Sequence, residues 1–260
     1  MIYDDFRVAG WPRSGWVEHR YPHEDIWDPA ASVICPGAPD LSLTIDLPRF
    51  TRSHSNHVKA MAMTDRLFDL SRSAGFRVSA DISVDISGVA GNPLGLEPGD
   101  PRLVAGALVT IDPSTGMVLD FFISNDRIAP LYERLHMARA ALGDYPAYSR
   151  LLDPVPRREG DWRCYEIRYD READIAEWRV DGELVARRER VGAPIGRDGP
   201  IVKLNRFRVG CGLFTLLDDL PDDQVRADDH PKIPGFIPDN FHDRFGQGGR
   251  VSMRALTIET

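Results

Sequence analysis

The most regular stretch of the chain runs Phe76-Arg-Val-Ser-Ala-Asp-Ile-Ser-Val-Asp-Ile86. Phe76, Val78, Ala80, Ile82, Val84 and Ile86 alternate with Arg77, Ser79, Asp81, Ser83 and Asp85, which is the period of a half-buried strand. A helix would scatter the apolar set around its circumference. The same reading predicts strands at 41–46, 57–63, 103–111, 117–123, 163–169, 175–180, 183–190, 202–209, 211–216 and 250–258. Turn residues separate them. Asp181-Gly182 between two β-rich runs is a strong hairpin signal, and Asp112-Pro-Ser-Thr-Gly116 marks a longer one. Many short strands with turns between them point to a sandwich or barrel rather than alternating βαβ units.

Three segments depart from this pattern. Residues 1–40 are rich in Pro, Gly, Trp and charge and read as an irregular arm packed over a sheet edge. Residues 126–142 have helical composition, yet Ser124-Asn125-Asp126 resembles a hairpin turn and Pro130 disfavours a helix interior. We therefore predict a strand at 128–135, followed by one or two helical turns at 136–142. Residues 218–247 carry many Asp, Pro and Gly without periodicity, and a connection that long is a candidate lid or binding loop. With no internal repeat or low-complexity tract, the expectation is one all-β domain over 1–260.

Composition narrows the function classes. With 32 basic and 40 acidic residues the formal charge is −8, which argues against nucleic acid or an anionic membrane as partner. Cys35, Cys164 and Cys211 are too few and scattered for a disulfide set or a zinc site, and their odd number fits a reducing compartment. The N-terminal residues lack a basic segment followed by an apolar one, and no apolar run is long enough for a transmembrane helix. The expectation is a cytoplasmic protein without cofactor or catalytic metal, acting on a small molecule. His136, His230 and His242 show no metal-ligand spacing, and the Asp-rich loop at 218–229 shows no calcium-loop pattern.

Two stretches resemble the concanavalin-like lectin and glucanase superfamily: Trp162-Arg-Cys-Tyr-Glu-Ile-Arg-Tyr-Asp170 and Glu177-Trp-Arg-Val-Asp-Gly-Glu-Leu-Val185. More narrowly, the chain resembles a functionally uncharacterised, largely actinobacterial family. The matching motifs are Asn56-His-Val-Lys59, Asp100-Pro-Arg-Leu103, Asp120-Phe-Phe-Ile-Ser-Asn-Asp-Arg127, Leu131-Tyr-Glu-Arg-Leu135, Gly212-Leu-Phe-Thr-Leu-Leu-Asp218 and Phe245-Gly-Gln-Gly248. The resemblance implies a jelly-roll β-sandwich and brings no activity. Laminarinase-type members of the superfamily carry their catalytic carboxylates in an E-x-D-x-x-E strand. The corresponding strand here, Met117-Val-Leu-Asp-Phe-Phe-Ile123, holds Asp120 and neither glutamate, so the usual two-carboxylate retaining mechanism loses support.

Asp120 nevertheless lies in an otherwise apolar strand, where a carboxylate is costly unless paired. If residues 124–127 close a hairpin, residue 123 faces 128 and 118 faces 133, so Asp120 and Glu133 share a face and can divide acid and base roles. A one-residue slip would present Tyr132 and Arg134 instead. The plainer alternative is a salt bridge that holds the hairpin. His57 and Lys59, at i and i+2 on a strand, are a second candidate base and anion holder, or else they cap a strand entry. Arg206 and Arg208 share a face that suits carboxylate recognition or simple solvation. Trp178 and Tyr165 are either a sugar-stacking platform or core aromatics.

The candidate catalytic residues are thus Asp120, Glu133, His57 and Lys59. The candidate substrate contacts are Asn56, Asn125, Tyr132, Arg134, Arg206 and Trp178. The leading expectation is an intracellular, cofactor-independent enzyme of specialised metabolism, a cyclase, isomerase, lyase or hydrolase. The alternatives are a carbohydrate-active hydrolase, lyase or glycan-binding protein, and a non-catalytic ligand-binding or assembly module.

Overall fold

A computed structural model describes residues 1–19, 27–51, 59–135, 148–158, 160–193, 201–215 and 245–260, and every element among them is a β-strand. In chain order these are β1 (Ile2–Asp4), β2 (Trp16–Glu18), β3 (Ser32–Ile34), β4 (Leu43–Leu47), β5 (Lys59–Thr64), β6 (Phe68–Asp69), β7 (Gly75–Ser87), β8 (Ala105–Ile111) and β9 (Met117–Ile123). There follow β10 (Arg127–Arg134), β11 (Tyr148–Leu151), β12 (Val155–Pro156), β13 (Arg163–Asp170), β14 (Ile175–Val180), β15 (Glu183–Arg188), β16 (Arg206–Phe214) and β17 (Gly248–Glu259).

They form two antiparallel sheets, as the alternation predicts. An eight-stranded sheet has the order β15-β14-β13-β7-β17-β4-β3, with β1 added on β17. A nine-stranded sheet has the order β11-β10-β9-β8-β16-β5-β2, with β12 on β10 and β6 on β16. The sheets pack face to face on a core that includes Ile45, Val84, Phe121, Tyr165, Trp178, Phe207 and Met253. Ring pairs lock the layers: Phe76 stacks on Phe207 at 4.2 Å and Phe121 meets Tyr165 edge-on at 5.2 Å. Gly106 permits the closest approach of the sheets, since a β-carbon there would lie 2.5 Å from Val84 Cγ2.

The turns follow the sequence signals. Asp181 and Gly182 take φ of 51° and 83°, the left-handed pair that a two-residue hairpin requires. The buried carboxylate of Asp112 accepts from Ser114 N at 2.7 Å and closes the β8–β9 loop. The same carboxylate accepts from Asn205 N at 2.9 Å and so holds the entry of β16.

Two expectations need correction. The arm at 1–40 holds three short strands, β1 to β3, because each finds an open ladder on β17, β5 or β4. The strands expected at 202–209 and 211–216 are one strand, β16, which passes straight through Gly210. The helical turns expected at 136–142 lie outside the described residues, as does most of the 218–247 loop.

The two sheets differ in a way that matters for function. In β7 burial alternates, so the outer face of the eight-stranded sheet meets solvent. Along β8 and β9 every residue is buried, so both faces of the nine-stranded sheet are covered there. Its outer face carries a second apolar cluster formed by Met61, Met63, Ala105, Ala107, Val109, Ile111, Val118, Phe122, Ala129, Leu131 and Phe214.

Candidate functional site

Strand pairing places the outer-face residues of the nine-stranded sheet in rows. One row runs Arg208, Ile111, Val118, Glu133, Ser149, and the next runs Met63, Gly210, Val109, Asp120, Leu131, Leu151. Beyond it lie Met61, Gly212, Ala107, Phe122 and Ala129, and then Lys59, Phe214 and Ala105. The β9–β10 register is the unslipped one: Ile123 opposes Ile128 and Val118 opposes Glu133. Ser124 N bonds Arg127 O at 2.9 Å and fixes it. Asp120 and Glu133 are therefore diagonal neighbours on one face, about 7 Å apart at the backbone.

Both carboxylates are buried, at 3% and 6% exposure, beside an apolar field. Thr110 N donates to Asp120 Oδ1 at 3.1 Å, so the sheet's own backbone helps to hold this acid. Arg208 lies on Glu133's row, and its Nε is buried without a hydrogen-bond partner among the described residues. The floor between β5, β16 and β8 is Gly210, Gly212, Ala105 and Ala107, with the Met63 sulfur lying close over Gly210. Phe122 and Phe214 stack above it, 5.5 Å apart with planes inclined by 11°.

The other candidates fall elsewhere. Position 59 opens β5 opposite Phe214, on this face but about 20 Å from Asp120 by strand spacing and rise. That separation is too long for a shared proton transfer. His57 and Asn56 lie outside the described residues. Tyr132 and Trp178 are corrections: both are fully buried in the core between the sheets. There the Tyr132 hydroxyl accepts from Gly192 N at 2.7 Å, and Trp178, like the equally buried Tyr165, offers a sugar no platform. Arg134 alternates with Glu133 and so points from the opposite face.

Asn125 is also a structural residue. Its Oδ1 accepts from Ile86 N at 2.7 Å and its Nδ2 donates to Ile86 O at 2.8 Å, which ties the β9–β10 turn to β7. Arg206 shares Arg208's face but stands exposed, one row further from the carboxylates. Sequence reasoning missed the stacked phenylalanines, the methionines and the glycine floor. The available signal was Gly210 and Gly212 at i and i+2 inside an apolar strand, a spacing that marks close approach of another group.

Among the described residues, no group of three or more His, Cys, Asp or Glu side chains could hold a metal ion. No helix among them is long and apolar enough to cross a membrane.

The architecture is shared with solved carbohydrate-active proteins. The crystal structure of LamAcat from Zobellia galactanivorans superposes with a TM-score of 0.55 at 11% identity, over 99% of this chain and 96% of that one. The catalytic domain of an endo-1,3-beta-glucanase (laminarinase) from Thermotoga petrophila RKU-1 gives 0.52 at 12% identity, over 98% and 94%. The Crh5 transglycosylase in complex with NAG gives 0.53 at 13% identity, over 99% and 82%. These likenesses establish the concanavalin-like jelly-roll sandwich. A curated relative, uncharacterized protein L829 of Acanthamoeba polyphaga mimivirus, is 24% identical over 220 residues, 59% of this chain. The chain spans 50% of that relative's length. A family model matches residues 31–260, and the chain belongs to that family, the family of unknown function DUF6081.

Proposed function

We propose that the protein is carbohydrate-active, with its saccharide site on the outer face of the nine-stranded sheet and Asp120 and Glu133 as its acid and base. The observation that carries this is the pairing of two buried carboxylates on adjacent strands of one face. Side chains from diagonal positions about 7 Å apart span the carboxylate separations that glycoside hydrolysis uses, about 5 to 9 Å. Here the two acids come from neighbouring strands, so the pair does not depend on the missing glutamates. The sheet architecture, shared with glucanases and a transglycosylase, lends analogy only.

The test is turnover on a panel of neutral and acidic oligosaccharides, read as new reducing ends and as unsaturated products. Asp120→Asn and Glu133→Gln are each expected to lower turnover by about 10²–10⁴-fold while the fold is kept. Full turnover in both folded variants, or neither binding nor cleavage across the panel, overturns the proposal.

A second reading rests on the lining of the same face. Met61, Met63, Val109, Ile111, Val118, Leu131 and the two phenylalanines are apolar and closed to solvent, which suits a small organic substrate undergoing acid/base chemistry. Metabolite capture by the purified protein separates the two readings. A bound apolar metabolite released by Asp120→Asn favours the second.

A further inference from the structure

We infer that the outer face of the eight-stranded sheet carries an oxyanion-binding groove, in which Arg77 and Arg168 grip a carboxylate, sulfate or phosphate group. The site is independent of the one on the nine-stranded sheet. Strand pairing sets Arg187, Glu177, Arg168, Arg77 and Glu259 in one row across β15, β14, β13, β7 and β17. Arg77 and Arg168 are thus direct cross-strand neighbours, a like-charge pair that destabilises a sheet unless something offsets it. Glu166 does so from the same face, two residues before Arg168 on β13.

Glu166 is buried, with one carboxylate oxygen on each arginine. Oε2 accepts from Arg77 Nε and Oε1 from Arg168 Nε. One carboxylate thus holds two guanidiniums at once, and Glu259 pairs with Arg77 from its other side. Both contacts use Nε, so the terminal nitrogens of Arg168 remain for a ligand. Arg168 Nη1 and Nη2 make no bond among the described residues, whereas Arg77 Nη1 pairs with Glu259 Oε2 at 3.6 Å. The two side chains are 45% and 44% exposed.

They open into a groove of about 740 Å³ lined also by Arg72 and Arg187 and by the acids Asp170, Glu177 and Glu259. Gly75 lines it too and packs so closely on β13 that a β-carbon there would lie 1.8 Å from Tyr169 O. The acids of the groove are already engaged. Glu177 pairs with Arg179 at 3.0 Å and Arg187 at 3.6 Å, and Asp170 accepts from Glu172 N and Ala173 N. Arg72 and the outer fork of Arg168 are left over. A guanidinium fixed at Nε by a buried carboxylate keeps its terminal N–H donors for a planar or tetrahedral oxyanion.

The experiment follows the arginine Nε–Hε resonances of the full chain at constant ionic strength. Sodium sulfate, phosphate and acetate are titrated in turn against chloride, followed by a neutral and a uronate-bearing oligosaccharide of equal length. Saturable shifts of the Arg77 and Arg168 signals, weakened at least tenfold in Arg168→Gln and unchanged in Arg250→Gln, support the groove. Arg250 pairs with Asp46 elsewhere on the same sheet. Tighter binding of the uronate than of acetate shows that the oxyanion arrives on a saccharide, and equal binding shows that the group alone suffices. Shifts that never saturate, or that are equal in the two variants, overturn the inference. The wild-type titration decides alone if Arg168→Gln does not fold.

Discussion

Replacing Arg157 with methionine isolates what holds the β9–β10 hairpin against the other sheet. The guanidinium is buried, at 5% exposure, and reaches across the sandwich. Its Nη1 donates to Ser124 O at 2.8 Å and its Nη2 to Val84 O at 2.9 Å, with longer contacts to Asn125 O and Asp161 O at 3.4 and 3.5 Å. Methionine fills much of the volume and removes every donor, which leaves the Ser124 and Val84 carbonyls buried without this partner. Two short charge-assisted bonds at about 1.5–3 kcal/mol each, less the relief of no longer burying a charge, give a loss of about 3–5 kcal/mol. That is a large fraction of a typical domain stability of about 5–15 kcal/mol. Urea denaturation should show a lower midpoint at unchanged slope. Asn125→Ala removes the parallel pair of bonds to Ile86 and should cost about 1–2 kcal/mol. Because both residues fix one turn, the double variant should lose less than the sum. A loss below about 1 kcal/mol for Arg157→Met, or strict additivity with Asn125→Ala, would refute this account of the clamp.

Alkaline pH should unfold the protein in a defined window. Burial pushes the Tyr165 and Tyr169 phenols from 10.0 up to about 12 and the Cys211 thiol from 9.0 up to about 12. The unfolded chain releases these protons first, so the stabilisation is intact below about pH 9 and is lost as pH rises through the folded values. The urea midpoint should fall steadily between about pH 9 and 12, and a flat profile would contradict it. Gly210→Ala should lower Tm by roughly 3–10 °C, because the added carbon would lie 2.2 Å from the Ala62 carbonyl oxygen, which a sheet cannot move aside. An unchanged Tm would mean that β5 and β16 are not so closely joined.

The sequence announces those parts of the fold whose chemistry is local. The 76–86 alternation is legible because one face of β7 meets solvent and the other the core. The β9–β10 register follows from the length of the Ser124–Arg127 turn, and with it the shared face of Asp120 and Glu133. Strands of three residues, such as β1 to β3, show no period and become strands only where a neighbour offers a ladder. The site was half legible for a similar reason. A tryptophan or tyrosine reads alike on a sugar platform and in a core, so Trp178 and Tyr165 are ambiguous until the packing places them. Asn125 looked like a turn residue open to a ligand, but its amide closes on the backbone of β7. Arg206 and Arg208 differ only in distance along one strand, and the row opposite Glu133 singles out Arg208.

The central claim, a saccharide site on the outer face of the nine-stranded sheet, is tested most directly by methionine methyl spectra. Met61 and Met63 lie on that face, whereas Met117 and Met253 lie in the core between the sheets. Titration with the oligosaccharide panel should shift the Met61 and Met63 methyl signals saturably, with Met253 unmoved. A bound saccharide that leaves Met61 and Met63 unshifted, or a panel in which none binds, would contradict the account.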